Sequence, residues 1–455
     1  MKKIQLELLN TRKKKIHAIL LLGIPAMFEN ILQTLVGFVD TLFVSKVSLD
    51  AVTAVSLANA IIAIYMAIFL AIGVGATSLI ARQLGSHDVQ QASATAKKAI
   101  FLCIACSFLF TAFNAFFAEQ LLQFLGASPA IHTIGATYLR IVGIPALFIG
   151  LPLVLATIIR ATGDTMTPLK ISFVLNIVHI GLDYVFILLL DFGVAGAAYA
   201  TLLLRMMHTV ILYRAVQRSV LRITWKQPLS LRSMKQLTSL SIPAAIERLI
   251  MRVGQVVYFG LILKIGAATY AAHMIAENIE AFTFMPGYGM AVVATTFVGL
   301  AIGAKRIREA YEYGVISTVI TIIVMSVIGL MMYIVCPFVA AWFTNDPTVI
   351  AQIVTALRID AFAQPAVAIT FVMAAALQGL GDTKTPMFTT AIGMWGLRII
   401  GVYTLGIHFD LGIAGVWFAL LIDLYIRSLI LWYQFKRKIQ KEEQACTTLS
   451  RQVPK

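Results

Sequence analysis

Charged residues are scarce in this chain, 13% of the total, against about 25% in an ordinary soluble domain. With 60% of residues hydrophobic, that shortage excludes a soluble enzyme. Cysteine is scarce too: Cys103, Cys106, Cys336 and Cys446 are too few for a disulfide framework in 455 residues. Cys103 and Cys106 spell C-x-x-C, but they lie in an apolar block with no second pair and no nearby histidine, so they read as packing. Alternating apolar and polar segments are absent, which excludes a membrane β-barrel. No G-x-x-x-x-G-K-[ST] and no H-E-x-x-H sequence occurs, so neither an ATP-driven pump nor a zinc hydrolase is supported. The first apolar block is too long for a signal-peptide core and carries no A-x-A-type cleavage site.

What the chain does have is apolar blocks of about 20 residues or more, the length a helix needs to cross the hydrocarbon of a bilayer. Marking them by their breakers gives twelve spans: 17–45, 52–81, 97–117, 134–158, 169–190, 193–215, 240–264, 268–303, 314–343, 352–380, 386–408 and 412–435. The fold class is an all-α multispanning membrane protein. The formal charge of +15, from 36 Lys and Arg against 21 Asp and Glu, is topological and does not point to nucleic acid. Basic residues return on every second connection: Arg82, Lys97 and Lys98; Arg160 and Lys170; Arg214 to Lys235; Lys305, Arg306 and Arg308; Lys384; and the tail from Lys436. The other side has little beyond Lys46 and Lys264. By the positive-inside rule both termini are expected in the cytoplasm.

An internal repeat organises the chain. Gly-Asp-Thr-Met-Thr-Pro at Gly163–Pro168 recurs as Gly-Asp-Thr-Lys-Thr-Pro at Gly381–Pro386, an offset of 218. Asp191-Phe-Gly-Val-Ala-Gly196 recurs as Asp410-Leu-Gly-Ile-Ala-Gly415 at 219, and Ile24-Pro25-Ala26 with Glu29 recurs as Ile242-Pro243-Ala244 with Glu247 at 218. The expected organisation is a cytoplasmic segment 1–16, an N-lobe 17–215, a linker 216–239, a C-lobe 240–435 and a tail 436–455. Two pseudo-symmetric six-helix lobes of the same orientation are a transporter design, with substrate bound between repeats near mid-membrane.

Ionisable residues inside spans are costly and usually functional. Asp423 and Arg427, spaced i,i+4, read as a pair along one helix face. Glu247, Glu277 and Glu280 are secondary candidates in the C-lobe, and Arg205 lies deep in the sixth span. Asp40 and Asp183 differ from these because neither has a Lys or Arg within four positions. Their repeat partners are Tyr258 and Gly401, so the acids belong to the N-lobe alone. Two such carboxyls brought together share protons, the chemistry of a proton-driven antiporter. His179 lies one turn before Asp183 on the same face. Thr201 can donate to the same cluster, and Pro25 can kink the helix that carries Asp40.

The segment Ile24–Thr41 resembles the first helix of the multidrug and toxic-compound extrusion (MATE) family. Ala271–Glu280 followed by Phe284-Met-Pro-Gly287 and Ala294–Gly299 resembles its eighth helix, and both Gly-Asp-Thr-x-Thr-Pro copies are typical. The resemblance implies a V-shaped pair of six-helix lobes and export of drugs, usually cationic, in exchange for protons or sodium ions. It carries the coupling-ion site over to Asp40 and Asp183, with Thr201 and Tyr138 at polar positions around it. His179 stands where many relatives have Asn. No acid occupies Ala366–Ala374 in the tenth span, where another branch places a cation ligand.

The expectation is therefore a secondary antiporter, not an enzyme, with no cofactor and no structural metal. Its coupling ion is a proton, or sodium at Asp40 and Asp183, and its partners are a lipophilic cation and membrane lipid. It is expected to act as a monomer in a bacterial cytoplasmic membrane. The alternative is a flippase for lipid-linked oligosaccharide, which needs several deep basic residues in the N-lobe, where Arg205 is almost alone.

Overall fold

A computed structural model describes residues 11–124, 128–224 and 231–452. Lys2, Lys3, the middle of the 216–239 connection and the last residues of the tail lie outside the described residues. All regular structure among the described residues is helical. The helices are α1 Arg12–Ser45, α2 Leu49–Gly85, α3 Val89–Phe124, α4 Pro129–Gly143, α5 Leu147–Ala161, α6 Met166–Asp183, α7 Gly193–Arg218, α8 Leu231–Ile265, α9 Ala267–Gly303, α10 Ile307–Ala341, α11 Pro347–Gly379, α12 Lys384–Ala391 and α13 Gly412–Gln452. Three π-helical stretches, Tyr184–Leu189, Ile392–Ile399 and Val402–His408, continue α6 and α12.

Ten helical segments among the described residues are long and apolar enough to cross a membrane. An eleventh is the pair α4 and α5, bent by 48° at a short break. Gly143 and Pro145 account for that break, since glycine weakens a helix and proline removes a donor from it. The remaining expected block, 240–264, forms α8, 35 residues long. Its length suffices, but Glu247, Arg248, Arg252 and Lys264 interrupt its apolar run. Helix α1 runs unbroken through Pro25.

The sequence repeat is also a backbone repeat. Non-glycine residues in the left-handed region occur in register: His87 (φ 61°) with Lys305 (58°), and Asp191 (51°) with Asp410 (53°). The π-helix at Tyr184 has its counterpart beginning at Val402, again 218 residues on. The Gly-Asp-Thr-x-Thr-Pro copies are helix-to-helix turns. Gly163 and Gly381 take φ 80° and 81°, a conformation that glycine adopts without steric cost. Their N–H groups donate to Arg160 O and Gln378 O, both at 2.9 Å. The aspartate then caps the next helix: Asp164 accepts from Thr167 N at 2.9 Å, and Asp382 accepts from Lys384 N at 3.2 Å and Thr385 N at 3.1 Å. Pro168 and Pro386 fall in the first turn, where a missing N–H costs nothing. The motif thus makes sharp turns and supplies no site.

The chain divides into two compact units. One contains Glu29–Leu84 and Asp88–Ala245; the other contains residues up to Phe28, Gly85–His87 and everything from Ile246. The first turns of α1 therefore group with the C-terminal unit, where Lys15 Nζ meets Glu312 Oε2 at 2.6 Å. The N-terminal unit packs Phe69, Ile80, Leu139, Leu155, Ile158 and Leu212 into its core. Small residues on α7, Gly196, Ala197, Ala198 and Ala200, are buried, which lets α7 approach α4, α5 and α6 closely. That packing sets the position of Thr201 and Arg205. The second core contains Ile262, Met325, Leu357, Met394 and Trp417. Large apolar side chains such as Phe116, Val256 and Trp342 stay exposed, as expected of a surface that faces hydrocarbon.

Candidate functional site

Four helices, α1, α4, α6 and α7, bring the candidates together within the N-terminal unit. Asp40 lies near the end of α1, and His179 and Asp183 lie four residues apart on the last turn of α6, so both project from one face. The imidazole sits between the two carboxyls: His179 Nδ1 is 3.5 Å from Asp40 Oδ1 and Nε2 is 3.7 Å from Asp183 Oδ2. One ligand atom from each residue lies within 4.8 Å of the others. His179 and Asp183 are 3% and 2% exposed, whereas the Asp40 side chain is 36% exposed, so the cluster opens on the Asp40 side.

None of these four facing atoms makes a hydrogen bond within the protein. Buried acceptors of this kind are normally satisfied, and an imidazole with one N–H cannot serve two carboxylates at once. The cluster is therefore short of donors, a shortage that an added proton or a small cation would relieve. Helix α6 passes directly into its π-helical stretch after Asp183, an irregularity common at functional sites.

Tyr138 of α4, 5% exposed, places its phenol against Thr201 of α7 and within electrostatic reach of both aspartates. Arg205, one turn beyond Thr201, interacts electrostatically with Asp40, His179 and Tyr138. Its Nη1 is shielded from solvent and makes no hydrogen bond. The structure thus brings together Asp40, His179, Asp183, Thr201 and Tyr138, and adds Arg205 as the one cation of the group.

Pro25 lies on the same helix as Asp40 but in the other unit. Glu29 pairs bidentately with Arg160, at 2.5 and 3.2 Å, and accepts from Ser172 at 3.3 Å. Its repeat partner Glu247 accepts from Thr390 at 3.0 Å, and Thr390 is the counterpart of Ser172 at offset 218. Glu247 therefore occupies a repeated glutamate–hydroxyl contact.

Glu277 is half-buried and Glu280 is buried on α9. Glu280 faces Asp360 of α11, 1% exposed. Gln364 Nε2 donates to Asp360 Oδ2 at 2.6 Å and to Thr283 Oγ1 at 3.3 Å. Asp360 escapes the sequence reading, which seeks an acid at Ala366–Ala374; a lone aspartate two turns earlier in the same block was the available signal. Asp423 pairs with Arg427 at 2.5 Å, as the spacing implies, and also with Arg398 at 2.9 Å.

The MatE family model matches residues 25–185 and again residues 243–404. The second match begins 218 residues after the first (243 − 25), the offset of the internal repeat. The probable multidrug resistance protein NorM of Thermotoga maritima is 29% identical over 415 residues, covering 90% of this chain and 89% of that protein. The uncharacterized transporter YisQ of Bacillus subtilis is 26% identical over 422 residues, covering 91% and 93%. Among solved structures, a multidrug resistance MATE family transporter in an outward-facing conformation superposes with a TM-score of 0.91 at 23% identity, covering 98% of this chain and 99% of that one. A MOP superfamily transporter from Pyrococcus furiosus gives 0.90 at 24% identity, covering 97% and 99%. With both halves matching in register, this multi-pass membrane protein belongs to the MATE family, whose members are multidrug efflux transporters and not enzymes.

Proposed function

We propose that this transporter is a secondary antiporter that exports organic cations, exchanging each against a coupling ion held by Asp40 and Asp183. The observation that carries this reading is the imidazole flanked by two carboxyls, with four facing polar atoms unsatisfied. A proton placed anywhere on this triad relieves the shortage. So does a sodium ion, a hard cation that takes oxygen ligands, here from the two aspartates and the hydroxyls of Tyr138 and Thr201. An organic cation competing for the same negative charge links its own movement to that of the ion. The basic connections support a cytoplasmic position for both termini in a cell membrane. The site lies wholly within one unit of one chain, which supports a functional monomer.

The test is reconstitution of the purified protein in liposomes, with a fluorescent lipophilic cation driven separately by a proton gradient and by a sodium gradient. Wild type is expected to exchange the cation under one of the two, and Asp40→Asn under neither. Undiminished coupled exchange by folded Asp40→Asn refutes the reading. No exchange by wild type under either gradient turns the assignment toward a lipid flippase, tested with a lipid-linked sugar.

A further inference from the structure

We propose that Arg205 is a built-in counter-cation that limits the Asp40–Asp183 site to a single exchangeable positive charge and disfavours sodium there. This inference rests on the coupling-site reading above. Arg205 lies on α7 four residues after Thr201, so the two side chains share a helix face. Helix α7 packs on α4, which carries Tyr138, and on α6, which carries His179 and Asp183, and Thr201 meets the Tyr138 phenol. The guanidinium Nη1 is shielded from solvent without a hydrogen-bond partner. Among the described residues, no carboxylate forms an ion pair with Arg205 within 4.0 Å. Its charge acts instead on Asp40, His179 and Tyr138. By contrast, Arg160, Arg398 and Arg427 each hold a carboxylate directly.

Counting charge shows the consequence. The titratable or charged groups that face one another here are Asp40 from α1, Tyr138 from α4, His179 and Asp183 from α6 and Arg205 from α7. Two carboxylates and one guanidinium leave one unit of negative charge when His179 and Tyr138 are neutral. One proton neutralises the cluster wherever it resides, on either aspartate or on the imidazole. A proton needs no ligand shell, so the carboxyls and the imidazole suffice to hold it. A sodium ion needs several oxygens and must sit within the field of the guanidinium, which repels it. Removing that charge leaves two units of negative charge, which favours a metal cation.

The experiment is sodium titration of the purified protein by isothermal calorimetry at constant ionic strength, balanced with choline chloride. It compares wild type, Arg205→Met, Arg205→Lys and the double variant Asp40→Asn with Arg205→Met. Arg205→Met is expected to bind sodium at least about tenfold more tightly than wild type, from the loss of a nearby like charge. Arg205→Lys, which keeps the charge, should stay with wild type, and the double variant should lose the gain. Should the methionine variant not fold, Arg205→Gln supplies an uncharged polar side chain in its place. Folded Arg205→Met or Arg205→Gln with wild-type sodium affinity overturns the role of Arg205 and leaves the coupling site standing. A gain in sodium affinity that survives Asp40→Asn overturns the coupling site itself.

Discussion

Neutralising Asp183 is the sharpest probe of the carboxyl pair, because it changes charge at a nearly fixed shape. Asp183→Asn keeps the size of a side chain that is 2% exposed, so folding should be little affected. The ligand atoms of Asp40, His179 and Asp183 lie within 4.8 Å of one another. A cation on Asp40 at that range from a second carboxylate gains about 3 kcal/mol at an effective dielectric constant near 20. Solvent reaches Asp40, whose side chain is 36% exposed, and reduces the gain to about 1.4–3 kcal/mol. The affinity for the coupling ion should therefore fall roughly tenfold to a hundredfold. The assay is the half-saturating ion concentration for efflux of a fluorescent cation from liposomes. Glu119→Gln is the control, since Glu119 is an exposed carboxylate paired with Arg140 away from the cluster. An unchanged half-saturation in folded Asp183→Asn would show that the second carboxyl takes no part in holding the ion.

Three further outcomes follow from packing and charge. Glu29→Gln should cost about 3 kcal/mol because it leaves Arg160, 16% exposed, without its bidentate partner. Glu247→Gln keeps its bond with Thr390 and should cost about 1 kcal/mol or less; thermal unfolding in detergent compares the two. Asp423→Ala should cost about 3–5 kcal/mol by stranding Arg398 and Arg427, 10% and 6% exposed. Adding Arg398→Met and Arg427→Met should recover much of that loss, read as the shift in unfolding midpoint. Asp382 supplies a pH dependence: burial would push its carboxyl up, but bonds from Lys438 and Thr385 outweigh this and hold it below the usual 3.8. A lowered folded-state value stabilises above the ordinary carboxylate range and loses that contribution as pH falls through the folded-state value. The stability difference between wild type and Asp382→Asn, about 1 kcal/mol at pH 6, should shrink toward zero as acid protonates the aspartate; a difference constant with pH would refute the assignment.

Most of the helices were legible because apolar block length alone specifies them, and the repeat was legible because the same turns demand the same residues. Gly163 and Gly381 must tolerate a positive φ, and the following aspartate must cap the next helix. The break between α4 and α5 was hidden inside one apolar block, since hydropathy does not register a bend at Gly143 and Pro145. Asp40 and Asp183 stood out as acids with no Lys or Arg nearby, and helical spacing already placed His179 beside Asp183. The sandwiching of that imidazole by an acid 139 residues earlier (179 − 40) is tertiary information. Asp360 was missed for the same reason: its meeting with Glu280 depends on how α9 packs on α11, which no local spacing encodes.

The two halves keep the same backbone devices while their polar chemistry has moved apart. The paired turns, the paired left-handed residues and the π-helical stretches that begin at Tyr184 and Val402 recur in register, and so does the glutamate–hydroxyl contact. Yet Tyr258, Gly401 and Ala356 stand where the first half has Asp40, Asp183 and Tyr138, and at the later offset of 219 Leu424 stands opposite Arg205. Gly401 has no room for a side chain, since an added Cβ would lie 2.8 Å from Ala419. A ligand can shift a conformational equilibrium only by binding its states unequally. Repeated turns give both halves the same backbone joints, whereas among the described residues the imidazole between two carboxyls occurs in the first half alone. Under the proposed coupling, an ion bound there would act on α1, α6 and the π-helical turn after Asp183, and the corresponding residues of the second half, Tyr258 and Gly401, offer it no carboxylate. The acids of that half, Glu280 and Asp360, lie instead on α9 and α11. Under the proposed coupling, the divergence would give an ion a foothold in one half of a duplicated frame, and the two halves would respond to it differently.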